Sequence, residues 1–333
     1  FVMKHFVLTL LGLLSFCLAI RAEVYSGECG DNGNNLTWTL DTETGKLVIS
    51  GDGDITQNPW IDYRHYIRSV DIQEGVKSIG DNAFRSCYLI TNARIPDSVI
   101  DIGNNAFYDC LGLKSIVIGR SVTSIGIQAF TSCSNLRTII NFSSLAITKG
   151  STSNGSVAFN AYQVVSNPNS IEENFVFSII DGVNTLMAYI GDDTKIVLPD
   201  NYRGEGYVIG ENAFYSNLTV TSIVIPDNVT SIGDWAFFNC RLLESINIPN
   251  SITDIGDMAF RQCSKLKNII LSNTLRSVGY RIFYDCIELE SMEIPNSVTS
   301  IGKEAFYNCA SLKDVTIGSN VMSIGEYAFA SCE

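Results

Sequence analysis

A chain of 333 residues with 46% hydrophobic and 17% charged side chains is too apolar to stay disordered. Its formal net charge of −13 argues against nucleic acid or an anionic membrane as partner, because both require a basic surface. The acidic residues are scattered rather than gathered in one run, as suits the solubility of an extracellular rod.

In chain order, Met3, Lys4 and His5 lead into an apolar run from Phe6 to Ile20. A basic start, an apolar segment of this length and the small residue Ala22 predict a signal peptide over residues 1–22, cut between Ala22 and Glu23. The run is short for a membrane anchor. A lipoprotein would need a small residue before Cys17, where Phe16 stands. No other segment is expected to enter a membrane.

Residues 23–66 carry a different pattern. Leu36, Trp38 and Leu40 alternate with threonines, and Leu47 and Ile49 alternate again beyond Asp41–Gly45. Alternation on both sides of a glycine-containing turn predicts a β-hairpin. A stack of repeats needs its first coil covered, so this segment is expected to be an N-terminal β cap. Trp60, Tyr63 and Tyr66 are expected to pack between the cap and the first coil, with an aromatic binding patch as the sharper alternative.

From residue 67 a repeat takes over. Its glycine falls at 80, 103 and 126, and then at 210, 233, 256, 279, 302 and 325, with 23 residues between neighbours in each block. A fixed period of this size marks a solenoid, in which each coil buries its apolar face against its neighbours. The residues ten and eight before the repeat glycines are mostly aliphatic pairs such as Ile246/Ile248 and Met292/Ile294, which predict a short strand. Pro96, Pro226, Pro249 and Pro295 follow it and end it, since proline cannot donate to a ladder. A second extended piece leads to the glycine, which permits a tight bend. Beyond it, the spacing of Ala259, Phe260, Cys263 and Leu266 predicts one or two helical turns. The expected fold is a repeat solenoid, mainly β with short helical turns. Its parts are repeat block 1 at 67–141, a central insert at 142–195, and repeat block 2 at 196–333.

The insert breaks the period, because Gly126 and Gly210 stand 84 residues apart. Within it, residues 149–156 read as a polar loop. Apolar runs 175–179 and 186–190 flank Asp181-Gly182-Val183-Asn184 and predict a hairpin, acting as a structural wedge or as a displayed recognition surface. Block 2 stops after Cys332 without a capping sequence, so the chain is expected to be a fragment of a longer protein.

The assembled unit resembles the BspA-like, or Treponema pallidum-type, leucine-rich repeats. Leu289 to Cys309 matches their pattern Leu-x-x-Ile-x-Ile-Pro-x-Ser-Val-Thr-x-Ile-Gly-x-x-Ala-Phe-x-x-Cys, with Met292 at the first Ile. The resemblance covers roughly residues 67–140 and 196–332. Departures are Asn217 for cysteine, Ile282 for alanine, and about four extra residues between Pro199 and Gly210. The resemblance implies a secreted or surface-attached protein of a host-associated microbe, whose relatives adhere to host matrix proteins or to other cells.

The chemistry-bearing residues give little sign of catalysis. Beyond the signal segment His65 is the one remaining histidine, and no nucleophile is spaced to partner it. Asp52 and Asp54, and Asp192 and Asp193, lie beside glycine and read as turns rather than a Ca²⁺ or acid–base site. Cysteines recur at one repeat position, from Cys87 to Cys332. Stacking about 4.8 Å apart keeps their Cβ atoms slightly beyond disulfide range, so a ladder of buried thiols is expected. A ladder does not converge on one point, so no metal site or cofactor is expected.

Inward positions barely change between coils, whereas the position nine before each glycine varies freely. The candidate ligand-facing residues are Val117, Asn247, Ile270, Glu293 and Thr316 there, with Lys114, Glu244, Lys267, Glu290 and Lys313 three residues earlier. They line one sheet face of the kind that extended solenoids use for binding. The expected function is a non-enzymatic, exported binding or adhesion protein recognising a protein or glycan on a host or neighbouring cell. The alternatives are a spacer that presents a further C-terminal domain, and a carbohydrate-active enzyme whose catalytic domain lies beyond Glu333.

Overall fold

The computed structural model describes residues 23–31 and 33–332; the expected signal peptide lies outside the described residues. Each coil contributes to three parallel rows, all bonded to the next coil about 23 residues on. The first row is the strand expected before the repeat proline, as in Ser69–Ile72, Asn92–Arg94 and Ser115–Ile118, where Gln73, Pro96 and Gly119 hold that position. Val70 and Ile72 point inward and are buried, while Asp71 between them faces out. The chain then turns at the proline, whose carbonyl accepts from the N–H three residues on, as from Val298 to Pro295 at 3.1 Å. The second row is the short strand before the glycine, as in Val76–Ile79 and Asp101–Ile102. The repeat glycine is required by contact between coils: a Cβ on Gly302 would stand 2.7 Å from the Gly279 carbonyl carbon, closer than packed atoms tolerate.

The third row replaces the expected helical turns. Two residues per coil, two and six beyond the glycine, adopt left-handed backbone, for example Asn82 at φ 59° and Ser86 at φ 56°. These interrupt right-handed helix and make alternate N–H groups face different ways. The amides of Asn82, Phe84 and Ser86 donate to the next coil at 2.9, 2.7 and 2.8 Å, while those of Ala83, Arg85 and Cys87 close local turns. A helix would keep all of these bonds within one coil. Here the alternation that satisfies the backbone also ties coils together, and among the described residues only Pro59–Tyr63 and Asn154–Ser156 form short 3₁₀ helices.

Inside, the phenylalanines stack face on face. Trp60, Phe84, Phe107 and Phe130 form one ladder and Tyr189, Phe214, Phe237, Phe260, Phe283, Phe306 and Phe329 a second, with centroids 4.9 to 5.7 Å apart. From Cys110 onward each repeat cysteine thiol donates to the phenylalanine carbonyl of the coil before, as Cys263 does to Phe237 at 3.2 Å. The nine described cysteines are free. Burial pushes the Cys87 and Cys240 thiols up to about 12, which withholds the reactive thiolate.

The N-terminal hairpin is formed by Gly33–Asp41 and Lys46–Gly51, with Leu40 opposite Leu47. Val24–Gly30 adds to it antiparallel. Lys46–Gly51 runs parallel to Ser69–Ile72, and Gly53–Ile55 runs parallel to Val76–Ile79. The cap therefore occupies the open edges of the first and second rows together. Trp60 closes the ladder beneath it, fully buried, with its Nε1 donating to Ala83 O at 2.8 Å. Tyr63 stacks on Tyr25 at 4.1 Å.

The insert has two parts. Residues 142–162 make one further, irregular coil, since Gln163–Ser166 continues the first row in parallel with Thr138–Asn141. The chain then reverses through Ser170–Glu172, Phe175–Ile180 and Val183–Tyr189 in antiparallel pairing. Asp181 and Gly182, with φ of 49° and 81°, make the two-residue turn that such a hairpin favours. Val183–Tyr189 pairs in parallel with Tyr207–Ile209, so the hairpin opens the second row of block 2. The extra residues before Gly210 carry Tyr202, buried and stacked on Phe177 at 4.4 Å.

The hairpin also covers the outer side of block 1. Val117, Ile140 and Val165 point outward from the first row and bury against Val176 and Ala188. This small apolar seam joins two larger cores, one in each block.

Candidate functional site

Row 1 strands alternate in and out, so the residue between the two buried aliphatics projects from the solenoid. In block 2 Val197, Val224, Asn247 and Ile270 stand in direct register, as do Glu293 and Thr316. The step between these groups is bridged by the Glu290 amide donating to Lys267 O at 3.3 Å. Val197, Val224 and Ile270 are 69%, 57% and 68% exposed. Three residues before this row lie Glu244, Lys267, Glu290 and Lys313, all exposed and alternating in charge. No ion pair uses these four among the described residues, so their heads are open to a partner.

Two expected members of this face are placed otherwise. Val117 is 4% exposed, because the hairpin lies over it. Lys114 is held by Asp192, Nζ to Oδ1 at 2.8 Å. Asp192 accepts as well from Thr91 Oγ1 at 2.6 Å and Asn92 Nδ2 at 2.8 Å, which clasps the insert to block 1. The repeat pattern treats all coils alike, and the distant segment that covers this one is invisible to it. The open face thus comprises Glu244, Asn247, Lys267, Ile270, Glu290, Glu293, Lys313 and Thr316.

The clasp bounds a second concave feature, a cleft of about 270 Å³ between the two blocks. Arg137 lines it from block 1, Tyr162 from the insert, and Tyr215, Asn217 and Asn239 from block 2. The Arg137 guanidinium lies over the Tyr162 ring at 4.8 Å, and that ring meets Tyr215 edge-on at 4.8 Å. Asn217 replaces the repeat cysteine, and its Oδ1 accepts from the amides of Thr219 and Val220, both at 3.0 Å. The signal for this site was that departure from the repeat; its partners across the cleft are dozens of residues away in sequence.

Other chemistry-bearing residues are engaged structurally. Asp52 pairs with Lys77 at 3.4 Å, Asp193 accepts from the Tyr189 hydroxyl at 2.5 Å, and His65 lies exposed against the Tyr66 ring. Among the described residues no group of three or more His, Cys, Asp or Glu is placed to hold a metal, and no helix is long and apolar enough to cross a membrane.

A family model, the BspA type leucine rich repeat region, matches residues 62–178 and 207–333 in six copies. Among solved structures the chain is similar to a leucine-rich repeat protein from Eubacterium ventriosum, with 21% identity, 93% of this chain and 95% of that one covered, and a TM-score of 0.45. A leucine rich cell surface protein from Faecalibacterium prausnitzii gives 23% identity, coverage of 90% and 91%, and a TM-score of 0.41. The Treponema pallidum leucine rich repeat protein gives 18% identity, coverage of 83% and 87%, and a TM-score of 0.31. No curated protein matches the chain.

Proposed function

From the premise that this chain belongs to the BspA-type leucine-rich-repeat family, we propose that it is an exported, surface-acting binding protein that recognises a protein or glycan on a host or neighbouring cell. The observation that carries this reading is the open strand face of block 2. It sets half-exposed aliphatics beside unpaired charges of both signs in one line. Apolar surface rimmed by charge is what recognition surfaces present, and strand registration places the groups about 4.8 Å apart per coil. The basic start and apolar run of residues 1–22 support export.

The test is binding of the purified chain to immobilised extracellular-matrix glycoproteins and glycans, beside a variant carrying Lys267→Glu, Glu290→Lys, Glu293→Lys and Lys313→Glu. Saturable binding that falls at least tenfold in the variant is the expected result. Binding that survives the reversals removes this face from the proposal. No binding at all favours a spacer role.

A further inference from the structure

We infer that the cleft between the two blocks is a separate binding site for a carboxylated sugar residue, of the uronic- or sialic-acid kind, at a glycan terminus. Its lining contains no aspartate or glutamate, although acidic residues outnumber basic ones 35 to 22 in the chain. Of its two cations, Lys114 is already satisfied by Asp192. Among the described residues Arg137 has no carboxylate partner: it donates to Asn160 O at 3.3 Å and lies over Tyr162. A guanidinium backed by an aromatic ring and short of an anion is suited to a ligand carboxylate, which its planar fork can engage at two points.

The rest of the lining fits the sugar rather than another anion. Asn217 Oδ1 is taken by Thr219 and Val220, and Asn239 is bonded to Ser216 and Arg241. Asn217 Nδ2 and the Ser216 hydroxyl donate to no other group among the described residues, and these spare donors suit the hydroxyls of a sugar. The Tyr162 and Tyr215 rings offer apolar surface with a polar tip. The volume lies just under the range of about 300–1,000 Å³ usual for small-ligand sites, which suits one ring and its substituents. An acidic peptide is disfavoured, because a cleft of about 270 Å³ holds one ring rather than an extended strand.

Titration of the chain with N-acetylneuraminic acid, glucuronic acid, glucose and hexaglutamate, followed by saturation-transfer NMR and calorimetry, tests this. The expected result is binding of one or both acidic sugars at least fivefold tighter than glucose. Arg137→Gln and Tyr162→Ala each weaken it at least fivefold with unchanged melting, and Arg137→Lys weakens it less than Arg137→Gln. The four-charge variant of the strand face retains it, which separates this site from the proposed recognition face. Absence of binding to both acidic sugars overturns the inference. So does binding that survives the Arg137 and Tyr162 substitutions, or hexaglutamate binding as tightly as the sugars.

Discussion

Phe260 sits fully buried between Phe237 and Phe283, 5.2 and 5.6 Å from their centroids. Truncation removes contacts on both sides, and the flanking coils are held apart by their own ladders. Phe260→Ala is therefore expected to cost roughly 3–5 kcal/mol, read from urea unfolding. A thiol of the same core gives a pH signature. Cys240 is raised from an ordinary 9.0 to about 12 by burial. Between those values the unfolded chain has lost the proton that the native chain keeps, so stability falls as pH rises. It is complete below about 9 and lost toward about 12. Cys240→Ala should make that alkaline limb shallower by one thiol's share in urea titrations taken from pH 8 to 11, the other buried thiols such as Cys87 and Cys263 keeping theirs. Both roles were legible in sequence, since one position holding phenylalanine or cysteine in coil after coil can only face the same interior.

At the scale of the element, the turn after the glycine shows where sequence spacing misleads. Ala259, Phe260 and Cys263 lie at helical offsets, but the backbone reaches that side-chain placement by alternating local and intercoil bonds through two left-handed residues. Those positions hold asparagine in some coils and Gln128, Trp235 or Met258 in others, at φ of 56°, 54° and 56°. Gln128 is exposed. Gln128→Gly is expected to raise stability by up to about 1 kcal/mol by removing a left-handed penalty; Gln128→Val should lower it. Paired thermal melts decide between them. The hairpin of residues 175–189 was legible from its two apolar runs and the Asp181–Asn184 turn between them. Its docking on Val117, Ile140 and Val165 was not, because those side chains occupy the outward position that in block 2 faces solvent.

Over the whole molecule, that docking couples the two cores. Val176 is fully buried in the seam, and Val176→Asp would place a carboxylate there without a partner. The expected outcome is two separated unfolding transitions where the wild-type chain shows one, together with a larger radius by small-angle scattering. A single unchanged transition would show that the seam contributes nothing to coupling. By itself the sequence determined the coil: its period, its inward aliphatics, its aromatic ladder and its thiol row, because every coil meets nearly the same neighbours and local pattern is enough to specify it. Only the tertiary structure decided which strand face stays open, why Lys114 and Val117 leave it, and where Tyr162 meets Tyr215. Those outcomes depend on one non-repeating segment folding back over coils far from it in sequence, a contact that no periodicity encodes.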